Sequence, residues 1–110
     1  MTPLPFRELE KAIRFHIVNF VNFTGEVEVL ERETRSWASV TFSGARHRLR
    51  LQLSGVEASP AADRLLSNLS EAEFVLRGHI LADIALVSDE RSDGSSLVTL
   101  ELEALTVEDC

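Results

Sequence analysis

Cysteine, lysine and long apolar runs are scarce in this sequence, and each scarcity excludes a class of protein. The only cysteine, Cys110, cannot form an intramolecular disulfide and fits a reducing compartment. The only lysine, Lys11, is not part of a glycine-rich loop, so the sequence contains no P-loop. No apolar run approaches the roughly 18 residues of a membrane-spanning helix. We therefore expect a cytoplasmic protein without a membrane partner.

Positive charge is also scarce. Lysine and arginine total 11 against 18 aspartate and glutamate residues, so the formal net charge of the 110-residue chain is -7. This negative excess repels phosphate backbones, and nucleic acid is therefore not an expected partner. The first residues include two prolines and an early glutamate where a signal peptide needs basic residues and then an apolar run. No signal peptide is predicted.

The remaining composition is that of an ordinary globular protein. Hydrophobic residues make up 45% of the chain, enough for one core without disulfides or metal. We expect residues 1–110 to form a single domain. The histidines His16, His47 and His79 lie at no metal-ligand spacing, and no serine has the glycine-flanked setting of a nucleophile. No catalytic residue, metal or cofactor is predicted, and the sequence leaves enzymatic activity open without pointing to one.

Two segments have the pattern of helices. Over residues 6–20, apolar side chains recur at steps of three and four, and Gly25 follows as a terminator. The alternative interpretation takes residues 13–23 as a strand, because they are rich in β-forming side chains. The second helix is predicted from Ser59 and Pro60, a serine N-cap followed by proline, to about Leu69.

Alternation of apolar and polar residues predicts five strands. The charged residues 32–35 form a turn between the first two, Asp93 and Gly94 mark a turn between the last two, and Gly78 interrupts the fourth strand as a bulge or bend. The predicted strands are a short segment at Val27 and Val29 and residues 36–43, 45–53, 73–87 and 97–107.

These elements predict an α+β fold with the order α-β-β-β-α-β-β. It has a single antiparallel sheet of about five strands, two helices on one face, and a long C-terminal β-hairpin. A strand of roughly 15 residues would span about 50 Å, more than a compact domain of this length. It must therefore bend at Gly78 or project and pair with a second copy of the chain.

Apolar residues on both faces of the long hairpin suggest a contact with another subunit. Leu81, Ala85 and Val87 are too apolar for a solvated face. In the alternative interpretation, the first helix covers the apolar residues on both faces of the hairpin, and no subunit contact is needed. Trp37 is a further candidate, either as an interface anchor or at the edge of the core. The candidate interface residues are thus Leu81, Ala85, Val87 and Trp37.

Three arginines, Arg46, Arg48 and Arg50, share one face of a predicted strand. Guanidinium groups bind carboxylates or phosphates, which makes these residues a candidate anion contact. The alternative is cross-strand pairing with acidic neighbours such as Glu26 and Glu28, or Glu101 and Glu103.

The predicted element order and the acidity are similar to those of type III secretion chaperones, small acidic cytoplasmic dimers that hold unfolded segments of exported proteins. The final helix of such proteins is not predicted here. The opening helix, three strands and helix also look like a double-stranded RNA-binding domain. The second helix begins with residues 61–64, Ala-Ala-Asp-Arg, and lacks the lysine cluster that grips phosphates. Both resemblances concern the fold, which does not determine function.

The sequence therefore predicts a non-catalytic protein-interaction or assembly module that binds protein, either itself or another chain, and acts as a homodimer. The alternative is a small-molecule-binding domain or small enzyme. Its ligand would lie between sheet and helix, with Arg48, His47 or His79 as polar contacts.

Overall fold

The computed structural model describes residues 4–72, 74–91 and 96–108. The elements are α1 (Leu4–Asn19), β1 (Glu26–Ala38), β2 (Ser43–Ser54), α2 (Ala58–Ser67), β3 (His79–Arg91) and β4 (Leu97–Glu108). The four strands form one antiparallel sheet in the order β1-β2-β4-β3. The predicted α+β fold with one antiparallel sheet and two helices is confirmed. The predicted five strands are corrected to four, with the element order α-β-β-α-β-β.

The first two predicted strands are one continuous strand. Residues 32–35 lie inside β1 and not in a turn, because their charges find partners on both faces of this edge strand. Arg32 reaches Glu10 of α1 at 2.9 Å, and Arg35 reaches Glu33 at 2.9 Å. The turn lies later, at residues 39–42, where the Ser39 backbone N–H donates to the Phe42 carbonyl at 2.7 Å. The predicted strand over residues 36–43 is therefore divided between β1, this turn and β2.

The third strand begins and ends later than predicted. Gly78 has a φ of +77° and precedes β3 in a tight turn, so it is neither a bulge nor a bend within the strand. The register of β3 shifts instead between Leu81 and Asp83 and again between Leu86 and Ser88. The predicted turn at Asp93 and Gly94 lies outside the described residues.

The end of β3 is tied to α2 by a charged cluster. The Arg91 guanidinium lies 2.8 Å from Asp63 of α2 and 2.9 Å from Asp89, and it donates to the Ser59 hydroxyl at 2.6 Å. Hydrogen bonds from this guanidinium to Asp89 and Asp63 raise the pKa of Arg91. β3 therefore continues to Arg91, four residues beyond the predicted end of the strand at residue 87.

The core lies between the helices and one face of the sheet. In β2 and β4 every second side chain is buried, as the alternation predicted. The helical interpretation of the first segment is correct up to Asn19, although Phe20, placed on the apolar stripe, is exposed. The largest fully buried side chains are Phe6, Leu9, Ile13, Ile17, Leu49, Leu51, Leu53, Leu65, Leu100, Leu102, His47 and Val98.

We predict that Leu65→Ala lowers the free energy of unfolding by about 2–5 kcal/mol, because Leu65 of α2 is fully buried and its loss leaves a cavity. Leu30→Ala is the matched control. Leu30 is 41% exposed beside the register shift in β1, so its truncation should cost less than about 1 kcal/mol. Urea denaturation of both variants measures the difference. Equal losses would contradict this placement of the core.

Candidate functional site

The sheet has one face covered by helices and one face that no element of the described chain covers. Strand register places the uncovered side chains in rows that run across the sheet in the order β1, β2, β4, β3. We name these side chains the open sheet face. Four successive rows, counted from the end of the sheet at Trp37, are Trp37, Gly44, Val107, Ile80; Arg35, Arg46, Leu105, Asp83; Glu33, Arg48, Glu103, Ala85; and Glu31, Arg50, Glu101, Ser88.

The middle of the open sheet face contains the three predicted anion-binding arginines. Arg46 Nη1 lies 2.8 Å from Glu103 Oε1, and Arg48 Nη2 lies 2.9 Å from Glu103 Oε2. Hydrogen bonds from Arg48 and Arg46 hold the pKa of Glu103 below its ordinary value. Arg50 lies 3.8 Å from Glu31 and 3.5 Å from Glu90 of β3. Each arginine thus faces a carboxylate of its own chain, which an external anion would have to displace.

One end of the open sheet face is apolar. Trp37 lies over Gly44, where a Cβ atom would collide with the Thr106 carbonyl and press on the indole, so only glycine fits. Ile80 is 54% exposed and Val107 is half-buried in the same row. The turn between β1 and β2 adds the exposed side chains Val40 and Phe42. A flat apolar end therefore adjoins the charged rows.

The four candidate interface residues do not share one surface. Trp37 and Ala85 belong to the open sheet face. Leu81 lies on the helix side and packs against the core. Val87 lies in the second register shift of β3 and is 45% exposed. The two register shifts separate residues that strict alternation would place together.

A second surface, which the sequence did not indicate, lies between α1 and the segment after α2. It is a groove of about 1040 Å³. We name it the aromatic groove. His16 stacks on Phe20 with ring centroids 5.3 Å apart and meets the edge of Phe74 at 5.2 Å. Its lining residues are Glu8, Lys11, Ala12, Phe15, His16, Phe20, Val21, Arg64, Asn68, Glu71, Ala72, Phe74, Val75 and Arg77.

The aromatic groove combines exposed rings with a charged rim. Phe15 and Phe20 are more than half exposed, on the side of α1 that faces away from the core. The carboxylate of Glu8 lies 3.2 Å from Arg77 and 3.8 Å from Lys11. Two phenylalanines, Phe15 in the last part of α1 and Phe20 directly after it, are the signal that could have identified this groove from the sequence.

His47 is buried on the helix side of the sheet. Its Nε2 lies 2.9 Å from Thr106 Oγ1, which donates to the Ala45 carbonyl, and its Nδ1 lies 3.1 Å from Thr34 Oγ1. A neutral imidazole protonated at Nε2 satisfies all of these contacts. Burial, and to a lesser extent the charge of His79, lowers the pKa of His47 to about 4.

The three polar contacts expected for a small-molecule ligand are not brought together. Arg48 points to the open sheet face, whereas its neighbour His47 points to the core. His79 lies at the start of β3, where its ring contacts the Arg77 carbonyl at 3.2 Å. Buried apolar side chains occupy the space between sheet and helices in which this ligand was expected.

The described part of the chain contains neither a metal-binding cluster nor a membrane-spanning helix. Within residues 4–72, 74–91 and 96–108, no group of three or more His, Cys, Asp and Glu side chains could hold a metal ion. Over the same residues, no helix is long and apolar enough to cross a membrane.

Comparison with known proteins assigns no family to this chain. No protein-family model matches it, and no curated protein matches it. Among solved structures, a similar chain belongs to the virion of a native gene transfer agent particle. The two chains are 16% identical, the match covers 96% of this chain and 92% of that chain, and the TM-score is 0.49. Similarity at this level carries no argument about function, which must come from the residues of this chain.

We predict that the free energy of unfolding falls by about 2 kcal/mol between pH 7 and pH 5. The pKa of His47 is about 4 in the folded protein and about 6.5 in the unfolded chain. The unfolded state therefore takes up a proton first as the pH falls, and stability present above about pH 6.5 is progressively lost. Urea denaturation at several pH values measures this slope.

His47→Gln is the control for this prediction, because glutamine offers a donor and an acceptor but does not titrate over this range. Most of the pH dependence should disappear in that variant. An unchanged slope would contradict the assignment to His47.

Proposed function

We propose that this chain is a cytoplasmic protein-interaction or assembly module that acts as a homodimer and has no catalytic role. The observation that supports the proposal is the open sheet face. A sheet in a folded domain is normally covered wherever its side chains are apolar, because exposed apolar area costs free energy. Here Ile80, Val40 and Phe42 stay exposed at the apolar end of the single chain, beside the half-buried Trp37. A second protein surface would remove it from water.

Association through the face is favoured over association through a sheet edge. The two edge strands are β1 and β3, and each contains a register shift. Such irregularities and the charged residues on these strands disfavour the addition of a further strand. The open sheet face lacks the first obstacle, since its central strands β2 and β4 pair without a shift. Its charges do not prevent packing face to face, because those of β2 are paired with carboxylates of the same chain.

We predict that the wild-type protein sediments as a dimer at tens of micromolar and that Ile80→Glu shifts it toward the monomer. Ile80 is 54% exposed at the apolar end, and a buried unpaired carboxylate there would disfavour association. Analytical ultracentrifugation measures the effect, with circular dichroism to check the fold.

Val75→Glu is the matched control for Ile80→Glu. Val75 is an exposed residue of the aromatic groove, so this variant should remain a dimer. A wild-type monomer at every concentration would contradict the homodimer. Dissociation caused by Val75→Glu but not by Ile80→Glu would contradict the use of the open sheet face.

The aromatic groove supports a second candidate function, the binding of a small apolar molecule. Its volume of about 1040 Å³ is at the upper end of ligand pockets, which are mostly apolar with a few polar groups. The cations Lys11, Arg64 and Arg77 line it together with the aromatic rings, and the carboxylate of Glu8 lies near two of them, Lys11 and Arg77. Arg64 donates to the Val21 carbonyl and faces no carboxylate within ion-pair distance among the described residues, so that with the rings it fits a molecule with an apolar body and an anionic group.

We predict for this second candidate that decanoate, an apolar chain with a carboxylate, shifts the backbone amide resonances of groove residues in a titration followed by NMR. Phe20→Ala should weaken the effect because it removes an exposed ring from the groove. Phe42→Ala, on the turn between β1 and β2, removes a similarly exposed ring elsewhere and should leave it unchanged. Resonance shifts that are absent or spread over the whole surface would contradict a groove ligand.

A further inference from the structure

We infer that the partner of the open sheet face is a second copy of this chain, packed face to face around a two-fold axis that runs parallel to the strands between β2 and β4. This inference rests on the proposed homodimer and specifies its geometry. It follows from the order of side chains in the rows across the sheet.

A two-fold axis parallel to the strands places each row opposite the same row of the partner, with the order of the strands across the sheet reversed. β1 then faces the partner's β3, and β2 faces the partner's β4. In the apolar row, Trp37 faces the second copy's Ile80, and Val107 faces the second copy's Gly44 and the Trp37 indole that lies over it. The apolar side chains of this row therefore meet apolar side chains of the partner.

Three kinds of opposite-charge pair form in the charged rows under this operation, while Arg46 faces the second copy's Leu105. Arg48 of one copy faces Glu103 of the other, and Arg50 faces Glu101 of the other, since each pair occupies β2 and β4 in one row. In the neighbouring row, Arg35 of β1 faces Asp83 of the partner's β3. Opposite charges in register fix the orientation of an interface.

The other two-fold axis in the plane of the face has the opposite effect. An axis perpendicular to the strands lays each strand on itself, so the column of Arg46, Arg48 and Arg50 would face its own copy. The acidic column of Glu101 and Glu103 would do the same. Facing like charges disfavours this packing, and the row pattern thus selects the axis parallel to the strands.

Two acidic side chains of the open sheet face support this choice. Among the described residues, neither Glu101 nor Asp83 makes an ion pair within its own chain, whereas each arginine in the charged rows does. In the inferred dimer, these two carboxylates meet Arg50 and Arg35 of the partner. These contacts add to the attraction between Glu101 and Arg48 of its own chain and bring a cation to Asp83, which offsets part of the cost of removing the two carboxylates from water.

The area of the face is sufficient for a stable dimer. Four strands of 12 or 13 residues, about 4.8 Å apart and rising about 3.3 Å per residue, present roughly 750 Å². A standard protein interface buries about 800 Å² on each partner. Sheets of this kind pack face to face with their strands roughly aligned.

The test uses Arg35 and Asp83, which lie on opposite edges of the sheet, about 14 Å apart in one chain. In Arg35→Asp, two acids face each other across the dimer; in Asp83→Arg, two arginines do. We expect each variant alone to self-associate at least about tenfold more weakly than wild type. An equimolar mixture should form a heterodimer, because each contact then joins an acid to an arginine. Analytical ultracentrifugation and native mass spectrometry distinguish these species.

The outcomes separate this inference from the proposed function. A dimeric wild type whose two variants both remain dimers would overturn this packing but leave the homodimer standing. Two monomeric variants that do not combine would also overturn it, whereas a monomeric wild type would overturn the homodimer itself. Arg35 and Asp83 are both exposed, so their substitution should cost little stability. If either variant is unfolded by circular dichroism, Arg35→Cys with Asp83→Cys, in a Cys110→Ser background, must cross-link between chains on mild oxidation.

Discussion

Both helices pack on the same face of the four-stranded sheet, and the rest of this structure depends on that arrangement. Alternation along β2 and β4 assigns each side chain to one face or the other. The covered face holds the apolar core and the buried, neutral His47. The open sheet face carries the ordered charges and the apolar end near Trp37. The core and the proposed interaction surface thus lie on opposite faces of the same strands.

Much of the fold could be predicted because local patterns in the sequence determine it. The clean alternation of residues 45–53 and 97–107 gave the two central strands, and the three- and four-residue spacing gave α1. The charged residues 32–35 predict a turn but lie within β1. The charged side chains of an edge strand are exposed to solvent much as those of a loop are, so their pattern does not distinguish the two. Sequence alone does not reveal that Arg32 finds Glu10 on a helix packed beside it.

The candidate sites were harder to predict, since they depend on register and on contacts between distant residues. The register shift between Leu81 and Asp83 separates Leu81 from Ala85, which strict alternation places on one face. The aromatic groove joins Phe15 and Phe20 to Phe74, more than 50 residues away along the chain. The rows of the open sheet face exist only once β2 has paired with β4, a long-range pairing.

The most direct measurement is an isotope-filtered NMR experiment on an equimolar mixture of labelled and unlabelled protein, which detects only contacts between chains. Trp37 and Ile80 lie on opposite edges of one sheet, about 14 Å apart and beyond the range of a nuclear Overhauser effect within one chain. The inferred dimer predicts an intermolecular effect between the Trp37 indole and the Ile80 methyl groups. Intermolecular effects confined to the aromatic groove, or to backbone protons of an edge strand paired with a strand of another chain, would contradict it.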